Sequence, residues 1–186
     1  MTRIIAGEFR GRRLAVPADT TRPTSDRVRE AVFSMLGSRM DLADLRVLDL
    51  YAGTGALGLE AVSRGAASAV LVEADRRAAG VLRDNIAVCS AGARVRVVNR
   101  TAEAFVAAQS GVFDLIFLDP PYDVTTEQCD AVIAGCAAVL APGGWIVVER
   151  ARRSDPITWP AGIDEVATKQ YGDTVVVVGG SDAPVA

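Results

Sequence analysis

Histidine is missing from all 186 residues, and Lys169 is the single lysine among 20 basic side chains. Without histidine, a zinc site or a Cys–His nucleophile pair has no imidazole to build on. Cys89, Cys129 and Cys136 are odd in number and show no C-x-x-C spacing, so they are expected as small core residues. No apolar run approaches the ~18 residues that would span a membrane. The first eight residues carry no long apolar stretch of the secretory kind, so a cytoplasmic protein with no membrane association is expected. The scarcity of lysine is a whole-chain bias of the sort that genome base composition produces. The choice of arginine is therefore uninformative, and only its clustering carries meaning.

That clustering is pronounced. Residues 1–40 hold eight arginines against Glu8, Asp19, Asp26 and Glu30, a balance of +4; since the whole chain carries -3, the remainder carries -7. A basic head on an acidic body suits a localised polyanion contact. The length fits one domain with small additions, and there is no internal repeat or long linker. We expect a head at 1–40, a main domain at 41–179 and a flexible tail at 180–186.

Within the head, two short extended runs around Gly7 and Gly11 predict a small hairpin with Arg10, Arg12 and Arg13 at its tip and second strand. A two-stranded ribbon is barely stable alone, so it should lean on the main domain or a ligand. Capping residues at 23–26 then open a helix whose apolar stripe is 28, 31, 32, 35 and 36, which leaves Arg27 and Arg29 facing outward. From residue 45 onward, strand-like runs at 46–50, 69–73, 95–98, 113–118 and 145–149 alternate with helix-like runs at 57–64, 76–88, 101–109 and 125–140. Short apolar strands separated by helices indicate a parallel α/β sheet covered on both faces. Runs at 164–171 and 174–178, joined by Gly172-Asp173, predict a closing hairpin, with fraying from Gly179.

After the first main-domain strand, Gly53, Gly55 and Gly58 satisfy the G-x-G-x-x-G dinucleotide pattern, and Glu73 lies twenty residues past Gly53 where a ribose-binding acid belongs. In a dinucleotide enzyme that turn admits a pyrophosphate to a helix N-terminus. Here Asp49 stands at the mouth of the strand, where a carboxylate repels phosphate and attracts an ammonium group such as the amino-acid end of S-adenosylmethionine. Asp49 could equally be a turn or helix-capping residue. Thr101-Ala102, after the third strand, fall where an adenine edge would be read, and Thr101 could also cap the following helix.

The fourth strand ends in Asp119-Pro120-Pro121-Tyr122. Both prolines fix φ and lack an N–H, and Pro121 keeps Pro120 out of the α region. A stiff turn then holds the Asp119 carboxylate and the Pro120 carbonyl as neighbouring acceptors, with the Tyr122 ring beside them. Two acceptors and a stacking face suit a planar group bearing –NH2; a plain rim turn is the alternative. Accepting both N–H bonds would align the amine lone pair for in-line attack on an activated methyl group, with no metal needed. A base inside a duplex could not reach such a pocket, so it would have to be flipped out.

Residues 3–14, 22–30, 49–60 and 119–122 together resemble the RsmD family, bacterial enzymes that methylate N2 of a guanine in small-subunit ribosomal RNA; the likeness runs from residue 3 to about 178. The resemblance implies a class I S-adenosylmethionine-dependent methyltransferase: Rossmann-like, with a mostly parallel seven-stranded sheet, a C-terminal antiparallel hairpin and a small N-terminal hairpin and helix extension. It implies Asp49, Gly53, Gly55 and Glu73 against the cofactor and Asp119, Pro120, Pro121 and Tyr122 as catalytic; Thr54, within the glycine loop, and Thr101 and Ala102, from their position after the third strand, are expected beside the cofactor. It also implies RNA contacts from Arg3, Arg10, Arg12, Arg13, Arg22, Thr24, Arg27 and Arg29, with 16S rRNA as partner and guanine 966 in conventional numbering as target within the assembled small subunit; a monomer is expected. Three other readings stay open: amino-group methylation of adenine or glutamine, NAD-dependent oxidoreduction, and a non-catalytic ribosome-assembly factor.

Overall fold

The computed structural model describes residues 2–17, 25–108 and 111–182. Arg22, Thr24 and residues 183–186 of the expected tail lie outside the described residues. The chain begins with β1 (Thr2–Arg3) and β2 (Arg13–Leu14), paired antiparallel as the hairpin the sequence predicts. Then follow α1 (Asp26–Gly37), β3 (Arg46–Leu50), α2 (Ala56–Ser63), β4 (Ser68–Val72), α3 (Arg76–Val88), β5 (Val95–Val98), α4 (Ala102–Ala108), β6 (Phe113–Leu118), α5 (Thr126–Ala137), β7 (Leu140–Ala151), β8 (Ile163–Tyr171) and β9 (Thr174–Ser181).

Strands β3 to β9 form one seven-stranded sheet in the order β5-β4-β3-β6-β7-β9-β8. The first five are parallel, and β9 runs antiparallel between β7 and β8. The central strands are buried on both faces, which is why β3 and β6 read as nearly unbroken apolar runs. One core packs α1, α2 and α3 against one face through residues such as Phe33, Leu59 and Leu82; the other packs α4 and α5 through Phe105 and Ile133. The chain winds from β3 to β5 in one direction and from β6 to β7 in the other, so a crevice opens outside the carboxyl ends of β3 and β6. Leu50 pairs with Leu118, which sets the loops after these two strands side by side.

The N-terminal hairpin is anchored as expected. The Ile5 and Ala6 N–H groups donate to the Glu60 carboxylate on α2 (2.7 and 3.0 Å), and the Phe9 N–H donates to Ser63 Oγ (2.8 Å). Asn85 on α3 bridges the backbone of Ala15 to the Thr54 carbonyl. Ile4, Phe9 and Leu14 are buried in the α1–α3 core.

Four details depart from the sequence reading. Arg29 does not face outward: it is fully buried, donating to the Arg3 carbonyl (2.8 Å) and Asp26 Oδ1 (2.6 Å), with Nη1 3.6 Å from Glu60. It lies one turn before Phe33 and two before Leu36, so the buried stripe is wider than the apolar letters indicate. Helix α5 ends at Ala137 because β7 begins at Leu140, pairing with Phe113 across a register shift. Strand β4 covers 68–72, leaving Glu73 just past its end. Strand β9 continues to Ser181, past the expected fraying point; Gly179 pairs with Ile146, and a Cβ there would lie 2.6 Å from the Trp159 ring. That glycine is a close-packing residue. The three cysteines are buried and free, as the sequence indicates.

Candidate active site

The crevice is a pocket of about 690 Å³. Asp49, Gly53, Thr54, Glu73, Thr101, Ala102 and all of Asp119-Pro120-Pro121-Tyr122 line it. Residues 49 to 122, brought from the ends of β3, β4, β5 and β6, thus share one cavity. Gly55 does not line it. Its φ of 76° starts α2, and a Cβ would sit 2.3 Å from Leu82 Cδ1 and 3.2 Å from Leu71 Cδ1, so Gly55 is required by backbone and packing.

Asp49 is 1% exposed, and its Oδ2 accepts the Gly58 N–H at 2.9 Å. This is the capping role that the sequence left open, and it does not preclude a second partner. Burial pushes the Asp49 carboxyl well above the usual range; the Gly58 bond offsets part of this, and the negative charges of Asp119 and Glu73 raise it further. Glu73 is held by the loop itself, Oε2 accepting from the Gly53 N–H and Oε1 from the Asp75 N–H, both at 2.9 Å. Asp49, Glu73 and Asp119 thus share the pocket, whose lining also carries Asp75, Glu103 and Glu149 and, against these six acids, Arg29, Arg77, Arg100 and Arg150. Around Asp49 the charges of Asp119 and Glu73 favour a cationic ligand over a pyrophosphate, against the dinucleotide reading. Among the described residues no cluster of His, Cys, Asp or Glu has the form of a metal site.

On the other wall, Pro120 is buried while Pro121 is exposed and Tyr122 is 62% exposed. The Val124 N–H donates to the Pro121 carbonyl at 3.1 Å, closing the turn. Thr101 Oγ1 accepts the Ala104 N–H at 3.2 Å, so the helix-cap role is present alongside its place in the pocket wall.

The sequence reading missed several wall residues. Tyr51 adopts φ 61° and donates its hydroxyl to Glu103 Oε1 at 3.2 Å, and both line the pocket. Burial, then the Glu103 charge, pushes the Tyr51 hydroxyl above its ordinary range. Its place directly before the glycine loop was the available signal. Arg77, Arg100, Glu149 and Arg150 also line the pocket, with no motif to mark them. Of the expected RNA contacts, Arg10, Arg12, Arg13 and Arg27 are exposed, and Arg12 Nη1 donates to the Val88 carbonyl. Arg3 lies 3.6 Å from the Asp26 carboxylate with its side chain 68% exposed. Buried Arg29 presents no surface to RNA, though it borders the pocket.

A family model described as Conserved hypothetical protein 95 matches residues 2–179. Ribosomal RNA small subunit methyltransferase D of Escherichia coli is 47% identical over 121 residues, covering 64% of this chain; the chain spans only 60% of that relative's length. The protein of the same name from Haemophilus influenzae is 37% identical over 162 residues, 84% of this chain and 82% of the relative. The solved structure of yhhF from Escherichia coli, provisionally designated a methyltransferase, superposes with a TM-score of 0.85 at 38% identity and covers 98% of each chain. The sheet is that of the class I methyltransferases.

Proposed function

The chain belongs to the RsmD family, and from that premise we propose that it methylates the exocyclic N2 of a flipped-out guanine in small-subunit ribosomal RNA, with S-adenosylmethionine as donor. The family resemblance points to guanine 966, within the assembled subunit. The observation that carries the reading is the convergence of Asp49, Glu73 and the Asp119–Pro120 acceptor pair on a single pocket.

When bound, S-adenosylmethionine supplies a methyl group activated by its sulfonium charge. Glu73, held by the Gly53 and Asp75 N–H groups, would accept the ribose hydroxyls on its remaining lone pairs. Asp49 would meet the ammonium group, directly or through water, and the Gly53 turn would take the methionyl chain. Asp119 and the Pro120 carbonyl accept the two N–H bonds of the target amine. That amine is a poor nucleophile because its lone pair is delocalised into the ring; the two acceptors draw it towards tetrahedral geometry and align the lone pair. Asp119 or water would then take the proton that the amine loses as its nitrogen gains the methyl group. Tyr122, exposed at the rim, stacks on the extruded base.

The test is transfer of labelled methyl to small subunits lacking the modification, followed by mapping of the labelled nucleotide. Asp119→Ala should lower transfer by about 10²- to 10³-fold or more while circular dichroism and S-adenosylmethionine binding persist. Absence of label in RNA, or full activity in the variant, overturns the reading; label on an adenine amine would transfer the mechanism to another base.

A further inference from the structure

A flipped nucleotide leaves its strand at one point, but the backbone enters and leaves that point on two sides. Holding it requires phosphate contacts on both flanks of the pocket. The basic hairpin supplies one flank: it docks on α2 and α3, beside β3 and β4, and its exit residue Pro17 lines the pocket. Asp119 directly follows β6, and the strands beyond β6 are β7 and β9, on the opposite side of the crevice from β3 and β4.

There the pocket wall is Ala151 and Thr174, and the chain turns immediately through Arg152 and Arg153, both exposed. The turn is well pinned. The Arg152 N–H donates to the Asp173 carbonyl (2.8 Å), and the Ser154 N–H to the Ala151 carbonyl (2.9 Å). Arg150 Nη1 donates to the Val124 carbonyl at 3.1 Å, tying the end of β7 to the loop that carries Tyr122. Neither Asp155, two residues past Arg153, nor Asp173, whose carbonyl takes the Arg152 N–H, holds a guanidinium: among the described residues Arg152 and Arg153 enter no ion pair. Two exposed arginines on a rigid turn at the pocket rim contrast with the acidic balance of residues 41–186.

We infer that the Arg152–Arg153 turn is a second RNA-phosphate contact, gripping the target strand on the side of the pocket away from the N-terminal hairpin. The inference rests on the RNA-methyltransferase reading. Full-length wild type and the double variant Arg152→Ala/Arg153→Ala are titrated with small subunits lacking the modification at several salt concentrations. S-adenosylmethionine binding is measured in parallel by calorimetry. Loss of two phosphate contacts makes the slope of log K against log salt shallower by about 1.4 for a single strand, with S-adenosylmethionine affinity unchanged. The charge-retaining pair Arg152→Lys/Arg153→Lys keeps most of the slope. An unchanged slope in the alanine variant, alongside a wild type that binds and methylates RNA, overturns the second contact alone. A wild type that neither binds nor methylates RNA overturns the functional reading, and this inference with it.

Discussion

The loop after β3 takes its rigidity from hydrogen bonds, and the loop after β6 takes it from covalent rings. In the first, Asp49 holds Gly58, Glu73 holds Gly53 and Asp75, and Asn85 holds Thr54. In the second, two prolines remove the donors that would need partners, and the loop ends in a ring 62% exposed. The first loop is therefore part of the core and should respond to substitution through stability. The second is a rim on a rigid strand and should respond through substrate binding and rate.

Three substitutions test that contrast. The largest effect is expected from Gly55→Ala, which combines a left-handed φ with a Cβ 2.3 Å from buried Leu82. Strain and overpacking together predict a loss of about 2–4 kcal/mol in denaturant unfolding; a loss below about 0.5 kcal/mol would mean that the loop can relax and is not core-like.

Tyr122→Ala comes next. Loss of one stacked base costs about 1–3 kcal/mol, which should appear as a raised KM for RNA. Stability and S-adenosylmethionine affinity should be untouched, and a lowered unfolding midpoint would place Tyr122 with the core instead.

The smallest effect concerns pH. Asp49 has a raised folded-state pKa, so between the usual carboxylate range and that raised value the folded apo protein holds a proton that the unfolded chain has lost. Stability contributed by this group is therefore greatest at the acid end and falls as pH rises through the folded value. A cationic ligand prefers ionised Asp49, so S-adenosylmethionine affinity should rise across the same window. Each pH unit is worth at most tenfold for one proton. Asp49→Asn should weaken binding and flatten this dependence; a variant with the wild-type pH profile would remove Asp49 from the cation's surroundings.

Much of this was legible in the residues. The strands at 46–50, 95–98 and 113–118 and the helix at 76–88 match to the residue, since buried parallel strands and capped amphipathic helices leave strong periodic signals. Local chemistry also marked the glycine turn, Glu73 and the Pro-Pro stop. The burial of Arg29 was not legible, because an arginine letter says nothing about the hairpin carbonyl and the α2 carboxylate waiting 26 and 31 residues away. Nor was the role of Gly55: the dinucleotide pattern counts three glycines alike, but only packing separates the one that donates to Glu73 from the one pressed against Leu82.

The sequence by itself determined which chemistry each strand end could offer, because those groups are set within a few residues of one another. Tertiary structure alone decided which of them share a cavity. The order β4-β3-β6-β7 brings Glu73, Asp49, Asp119 and Arg150 to one crevice. The burial of Asp49 and the neighbouring charges of Asp119 and Glu73, which together raise its carboxyl, exist only after the sheet has closed that distance.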